Sequence, residues 1–503
     1  MNIRKRPARK IVIGLVGIFS SVGSVGAAGP YDGLSEKMRP MLADSRLGNM
    51  DIGVHIQALG PDGAVILEQR ADEPFKPASN QKLLITAAAL SILPADFTYR
   101  TILARRGNDL IIIGSGDPSI GDPRLRERPD VPITAIFHEW ADKLRADGLT
   151  EVSGDLIFDD FVFEQKFVPA SWTRQHNLQG WSAAPIGGLN FNNNCVDVQI
   201  KPAPQIGAPA EVTLIPDSTY TRLANTSQTA SKGEPVIQRS GELPMVVQVS
   251  GPVSRGNVGS PFSLAVIDPG MFFACAARTS LASKGIRIVG QTRRQRIRRI
   301  DGDIPADLRI VAVHESKLDD FLWRVNKSSQ NMCAEALLKT VGAYGARHTP
   351  SQIGGYDTGR ESISAFLKGI GVSLTGIVID DGSGLSHDNR LTPEAIVKIL
   401  AYMDRHPRRE LFQASLAEPG DQEGTLRRRM HDLNGQVYAK TGYIRGASTL
   451  SGYVVGPDGQ RYAFSVLCNE TTKVKDGTSA ARRLQDAICK TLATWSMSPV
   501  ATR

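Results

Sequence analysis

At 503 residues, with 41% hydrophobic and 22% charged side chains, the chain is too long for one simple core and too apolar for a disordered scaffold. Its formal charge of +8 falls to +3 once the five cations of the first ten residues (Arg4, Lys5, Arg6, Arg9 and Lys10) are set aside. A balance that close to neutral gives no reason to expect a nucleic-acid partner.

Those five cations open what reads as an export leader. The apolar run "IVIGLVGIFSSVGSVG" follows, then small residues "VGAAG" suited to cleavage near Ala27 or Ala28. An apolar core of about 15 residues, diluted with Gly and Ser, is short for a membrane span, which needs about 20. The expectation is a signal peptide over 1–28 and an exported protein, periplasmic or cell-wall associated, with at most peripheral membrane association.

Next, "DIGVHIQALGPDGAVILEQR" reads as two alternating strands around a Gly-Pro-Asp-Gly turn. The stretch "PASNQKLLITAAAL" then enters a helix, with Ser79 at or within its first turn and Lys82 three residues on, on the same face. From about 99 to 318 short strands dominate ("RTILARRGNDLIIIGSGDPS", "VSGDLIFDDFVF", "CVDVQIKP", "AEVTLIP", "MVVQVSGPV"), separated by Gly-, Pro- and Asn-rich loops. This predicts a β-rich insertion in two parts, about 99–124 plus 222–318, and 125–221. Its basic run "RRQRIRR", at 293–299, reads as a solvated face.

The helical period returns at about 319. "LDDFLWRVNKSSQNMCAEALLKTVGAY" reads as a helix, a break at 327–329, and a second helix, and "LTPEAIVKILAYMDR" opens on a capping Thr followed by Pro. The C-terminal third ends in strands around "QVYAKTGYIRGASTLSGYVVGPDGQRYAFSVLCNE" and a last helix, "DGTSAARRLQDAICKTLATW". Strands at both ends with helices between predict an α+β arrangement, one antiparallel sheet flanked by helices.

Three short motifs carry chemistry. A serine hydroxyl such as that of Ser79 is a weak nucleophile until a base takes its proton, and Lys82 can do so only if burial or neighbouring cations lower its pKa. The start of a helix also favours an oxyanion. Ser329 and Asn331, in the break, offer a proton relay and a carboxamide for a substrate amide. Lys440, Thr441 and Gly442, on a strand, offer a cation and a hydroxyl for a carboxylate, and a place where a ligand backbone approaches closely. Taken singly, each motif reads as a cap, a turn or a surface charge.

Other candidates are poorer. "HEWAD" at His138 and "HESKL" at His314 lack the second histidine of a zinc site, and the reading requires no metal and no cofactor. Cys195, Cys275, Cys333, Cys468 and Cys489 form no C-x-x-C, and their odd number leaves at least one unpaired. Cys333 reads as a buried helix residue, and Asp380 and Asp381 as turn caps.

In order, S-x-x-K, S-x-N and K-T-G are the signature of penicillin-binding proteins and class A β-lactamases. The sequence resembles the penicillin-recognising serine D-Ala-D-Ala peptidases. The 250 positions between Ser79 and Ser329 make it similar to the class C low-molecular-mass D-alanyl-D-alanine carboxypeptidase/endopeptidases. "IIIGSGDPSI", "VSGDLIFDDFVF" and "IDDGSGLSHDNRLTP" add to the likeness.

The resemblance implies a transpeptidase-like domain over 29–98 and 319–503, with 99–318 inserted. It implies Ser79 as acylated nucleophile, Lys82 as its base, and Ser329 passing a proton to the leaving amine with electrostatic help from Lys440. Asn331 would hold a substrate amide, Thr441 and Lys440 the terminal carboxylate beside Gly442, and the N–H groups of Ser79 and Tyr443 the oxyanion. The partners implied are peptidoglycan stem peptides, D-Ala cross-links among them, and β-lactams; no oligomeric state is implied. Gln330, Tyr443 and His387 depart from the family's usual Asp, small hydroxyl residue and Arg, and the His387 loop is assigned no catalytic role. A β-lactamase-like hydrolase and a non-catalytic cell-wall scaffold are the rival readings.

Overall fold

Strands Asp51–Ala58 and Val65–Gln69 form the expected antiparallel hairpin, with Val54 opposite Gln69 and Ile56 opposite Leu67. The computed structural model describes residues 30–496 except 62, 127, 257, 258, 260, 300, 301 and 346–352, so the expected leader, 1–28, lies outside the described residues. The first strand pairs on its other side with Arg461–Asn469, placing Ile52 against Cys468 and Val54 against Val466. Ala447–Val455 and Val437–Ile444 follow, all antiparallel, so N- and C-terminal pieces build one five-stranded sheet with Val437–Ile444 at its edge.

Helices cover both faces of this sheet, and the period-2 alternation divides its residues between two cores. Val454, Tyr462, Phe464, Val466 and Cys468 pack with the terminal helices Asp32–Leu42 and Gly477–Thr494. Tyr453, Ala463 and Leu467 face the other way, into a core built by Gln81–Ile92, Leu318–Asn326, Asn331–Gly345 and Pro393–Asp404. The Thr-Pro-Glu signal is realised at Pro393–Asp404: Thr392 Oγ1 accepts the N–H of Ala395 at 3.0 Å.

Within 99–318 the strands group differently from the sequence expectation. Leu156–Asp159, placed in the 125–221 part, pairs in parallel with Asp109–Ile113 on one side and Thr292–Arg294 on the other. Thr98–Arg106 and Arg309–Lys317 complete that five-stranded sheet. The parallel pairing requires crossovers, and helices supply them: Ala135–Ala146 lies between the first two strands in the chain, and Pro269–Ser283 precedes the third. The second helix starts with the signal seen at Thr392, an Asp268 cap accepting the N–H of Met271 at 3.0 Å, with Pro269 in the first turn. One three-stranded sheet spans the expected boundary near 221, joining Cys195–Lys201 and Glu211–Ile215 to Phe262–Ala265, and another, of Thr221–Asn225, Val236–Arg239 and Met245–Ser250, starts at it.

One smaller expectation is revised. The basic run is not uniformly solvated, because Arg294 is half-buried between the carboxylates of Asp160 and Asp268. All five cysteines are free and buried. Among the described residues no helix is long and apolar enough to cross a membrane.

One buried ion pair ties 99–318 to the helices beside the sheet. Arg324 Nε donates to Asp122 Oδ2 at 2.6 Å, and both side chains are nearly inaccessible. Removing one partner leaves an uncompensated buried charge, which typically destabilises by about 3–5 kcal/mol, whereas replacing both with apolar residues costs less. Denaturant unfolding is therefore expected to show Asp122→Leu as more damaging than the Asp122→Leu/Arg324→Met pair; the reverse order would contradict this role.

Candidate active site

The turn Pro77-Ala78-Ser79-Asn80 is strained and heavily tied. Ala78 has φ +45°, and its carbonyl occupies the space a side chain at Gly384 would need, since a Cβ there would sit 1.8 Å from Ala78 O. Ser79 lies in the 3-10 turn Ala78–Asn80 that leads into helix Gln81–Ile92, and its side chain caps nothing. Asn80 Nδ2 donates to the Lys440 carbonyl at 2.6 Å, Ser451 Oγ donates to Asn80 Oδ1 at 2.8 Å, and Thr449 Oγ1 donates to the Pro77 carbonyl at 2.9 Å. Side chains of the sheet thereby hold the Ser79 turn against the edge strand Val437–Ile444.

Lys82 is fully buried one turn along. Its Nζ lies 3.1 Å from Ser79 Oγ, 2.8 Å from Asn331 Oδ1 and 2.6 Å from the Ser383 carbonyl. The Asn331 carboxamide is oriented unambiguously, because its Nδ2 donates to the Ser182 carbonyl at 2.8 Å. Two of the three partners of Lys82 therefore only accept. A neutral amine has two hydrogens and one lone pair, so satisfying both acceptors turns the lone pair toward the Ser79 hydroxyl. Burial pushes the pKa of Lys82 down to about 8, against the opposing pull of Asp381 and Glu335.

A second lysine–serine pair stands beside the first. Ser329, at φ +61°, occupies the break between Leu318–Asn326 and Asn331–Gly345. Its Oγ accepts from Lys440 Nζ at 2.9 Å, and the same Nζ donates to the Thr441 carbonyl at 2.8 Å. Lys440 is also fully buried; burial first, and then the charge of Lys82, hold its pKa well below the usual lysine range. Thr441 Oγ1 donates to Thr425 Oγ1 at 2.8 Å, and Tyr443 is 58% exposed at the strand edge.

The structure thus brings Ser79, Lys82, Ser329, Asn331, Lys440, Thr441, Gly442 and Tyr443 into one neighbourhood. It changes the reason for Gly442: a Cβ there would lie 2.1 Å from Thr449 Oγ1 and 3.0 Å from both Pro77 O and Ser79 N. The close approach at that glycine is made by the protein itself, first by the Thr449 side chain and then by the Ser79 turn, rather than by a ligand backbone. Gln330 Nε2 turns away to Asn193 Oδ1 at 3.0 Å, and Cys333 is a buried helix residue whose thiol burial pushes up to about 12.

Residues without a motif complete the site. The His387 loop, assigned no catalytic role from sequence, supplies the Ser383 carbonyl to Lys82. Asp381 caps that loop, accepting the N–H groups of Gly384 at 2.7 Å and Ser386 at 2.6 Å, and also the Trp172 indole at 2.8 Å. His387 itself stacks on His176, ring centroids 5.7 Å apart. Ser182, from the short turn Trp181–Ala183, reaches Asn331 from within residues 99–318. Bonds that join positions so far apart leave no local signal in the sequence.

Residues 34–493 match the D-Ala-D-Ala carboxypeptidase 3 (S13) family. The chain is 31% identical over 491 aligned residues to a D-alanyl-D-alanine carboxypeptidase of Actinomadura sp. (strain R39), covering 92% of this chain and 85% of that one. It is 24% identical to the D-alanyl-D-alanine carboxypeptidase DacB of Haemophilus influenzae, covering 78% and 80%. The crystal structure of penicillin-binding protein 4 (DacB) from Haemophilus influenzae superposes with a TM-score of 0.72 at 20% identity, covering 92% of this chain and 99% of that one. A structure of the same protein complexed with a β-lactam gives 0.68, also at 20% identity, covering 93% and 100%.

Overpacking a tight site costs about 1–3 kcal/mol. Gly442→Ala is expected to destabilise the chain by that amount in denaturant unfolding, and less than additively with Thr449→Ala, which removes the first atom the new methyl meets. Full additivity, or unchanged stability, would contradict the packing described.

Proposed function

The chain belongs to the D-Ala-D-Ala carboxypeptidase 3 (S13) family, and from that membership and the Ser79–Lys82 geometry we infer a serine-type D-Ala-D-Ala carboxypeptidase that works through a Ser79 acyl-enzyme. The observation that carries the reading is the buried Lys82, whose two carbonyl acceptors leave its lone pair for the Ser79 proton.

In this mechanism neutral Lys82 takes the hydroxyl proton as Ser79 Oγ attacks the carbonyl carbon of the penultimate D-Ala. The N–H groups of Ser79 and Tyr443 receive the oxyanion. Lys440 and Thr441 hold the terminal carboxylate, and Gly442 keeps their strand close to the nucleophile. Ser329, hydrogen-bonded to Lys440, relays the proton taken up by Lys82 to the amine as the C–N bond breaks and D-Ala leaves, which returns Lys82 to its neutral form. Asn331 exchanges the Ser182 carbonyl for a carbonyl of the stem peptide. Water then attacks the ester, Lys82 accepts its proton, and Ser79 is regenerated.

The same acyl-enzyme forms when the leaving amine belongs to a peptidoglycan cross-link, so endopeptidase activity needs no further group. A β-lactam presents a strained amide to Ser79 and keeps its leaving amine tethered, so the acyl-enzyme persists. The β-lactam complex of the Haemophilus influenzae protein, which shares the fold, supports β-lactams as ligands. The leader over 1–28 places the enzyme outside the cytoplasm, where peptidoglycan lies. We further propose that 29–98 and 319–503 form the peptidase domain and 99–318 the insertion.

Intact-mass analysis after penicillin treatment is expected to show one persistent adduct that is absent in Ser79→Ala. An unmodified wild type, or a labelled Ser79→Ala, would sink the reading, and an adduct lost within minutes would mark a β-lactamase instead. The active form of Lys82 is the deprotonated one and its pKa lies near 8. Accordingly kcat/KM for D-Ala release is expected to rise as pH increases toward 8, about tenfold per unit, then level off. A flat profile between pH 6 and 9 would contradict the assignment of Lys82 as base.

A further inference from the structure

Glu335 has no place in the motifs, yet it is a fully buried carboxylate next to the site. It stands one helical turn after Asn331 on Asn331–Gly345, on the same face. Its Oε2 accepts the N–H of Gly382 at 2.9 Å and its Oε1 the N–H of Ser383 at 2.7 Å. The carbonyl of the same residue, Ser383, accepts from Lys82 Nζ at 2.6 Å. The segment is wedged in place: a Cβ at Gly382 would lie 2.7 Å from the Ala334 carbonyl, and one at Gly384 1.8 Å from Ala78 O. Gly382-Ser383-Gly384 therefore runs between the Glu335 helix and the nucleophile turn, with no room for a side chain at either glycine.

We propose that Glu335 is a positioning residue for acylation: its carboxylate fixes the 382–383 backbone so that the Ser383 carbonyl engages one hydrogen of Lys82 and leaves the lone pair facing Ser79. The inference rests on the serine-peptidase reading of those two residues. A carboxylate with both oxygens bonded to backbone N–H groups acts as a two-point clamp, which neither a carboxamide nor a protonated carboxyl can reproduce, because each turns one acceptor into a donor. Burial and the charge of Asp381 raise the pKa of Glu335 to about 8, while its bonds from the Gly382 and Ser383 N–H groups and the Ser383 side chain work against that rise and favour the ionised clamp.

The charged and titratable groups around it leave Glu335 to this task. Lys339, one turn further on, donates to the Lys166 carbonyl at 2.6 Å and lies 3.7 Å from Glu164. Its ammonium also sits 4.4 Å from the centre of the Tyr356 ring. Arg360 is engaged by Asp357 and by the carbonyl and carboxylate of Asp380. Arg324 is held by Asp122, and Asp381 by its own loop. Lys82 feels the negative charges of Asp381 and Glu335, both of which favour its protonated form.

The test compares wild type, Glu335→Gln and Glu335→Asp in kcat/KM for D-Ala release across pH 6–10. Active sites are counted by penicillin labelling, so that only folded enzyme is scored. Glu335→Gln is expected to lower the plateau by about 10²-fold, the scale of a small misplacement at the reacting groups. It is also expected to move the rising limb to lower pH, because loss of a nearby negative charge favours the neutral amine. Glu335→Asp keeps the charge but falls one methylene short, so its plateau drops while its limb stays near that of wild type. A merely structural role would reduce the labelled fraction and leave the plateau and limb of the labelled enzyme unchanged. That result in Glu335→Gln would overturn the proposal, as would a wild-type plateau in Glu335→Asp if the Gln variant fails to fold. A wild type that takes no label, or has a flat profile, would instead overturn the peptidase reading on which the inference stands.

Discussion

The burial of two lysines in one cleft is the constraint that organises this protein. Lys82 and Lys440 are both inaccessible to solvent, and neither is within ion-pair distance of a carboxylate in the described contacts. An ammonium without water or a counter-ion is unfavourable, so burial drives both toward the neutral amine, and the charge of Lys82 further opposes the charging of Lys440. A neutral amine still needs acceptors for its hydrogens. The surrounding chain supplies carbonyl oxygens from Ser383, Asn331 and Thr441, and one serine hydroxyl for each lysine. At Lys82 both hydrogens can go to carbonyl oxygens, which leaves the lone pair facing Ser79 Oγ, whereas Lys440 gives one hydrogen to Ser329 Oγ.

Meeting that constraint takes pieces from the whole chain. Ser451 and Thr449 of the central strands hold the turn that carries Ser79. The region 99–318, far from the motifs in sequence, is in direct contact with the site. Ser182 orients Asn331, Asn193 holds Gln330, and Trp172 bonds to the Asp381 that shapes the Ser383 loop. Residues from 99–318 therefore brace both segments that present acceptors to Lys82. Loosening them should be felt first as poor alignment of the lysine, before any loss of the central sheet.

Much of this was legible in the sequence because the relevant signals are local. The strand alternation in 51–58, the Thr-Pro-Glu entry to Pro393–Asp404 and the three motifs each lie within a few residues. The helix Pro269–Ser283 carries the same kind of entry signal but is apolar on nearly every face, so no stripe separates it from a buried strand. The parallel pairing of Leu156–Asp159 depends on crossover helices and not on its own four residues. The sequence places Ser79 at or within the first turn of a helix, and it lies in the 3-10 turn leading into that helix, where the carbonyl of Ala78 packs against Gly384. Glu335 and Ser383 were invisible because a buried Glu on a helix and a Ser in a glycine loop are unremarked types. Only their meeting around Lys82 gives them a role.

The central claim is that burial lowers the pKa of Lys82 to about 8, so that its neutral form is populated near neutral pH, and the direct measurement is its own titration. Carbon-13 NMR of the enzyme labelled at lysine Cε, with Lys82→Arg to assign the resonance, reads the charge of the amine without turnover. The account expects a Cε resonance that titrates with a midpoint near 8 and disappears in the variant. A Lys82 that stays protonated to above pH 10, like an exposed lysine, would contradict it.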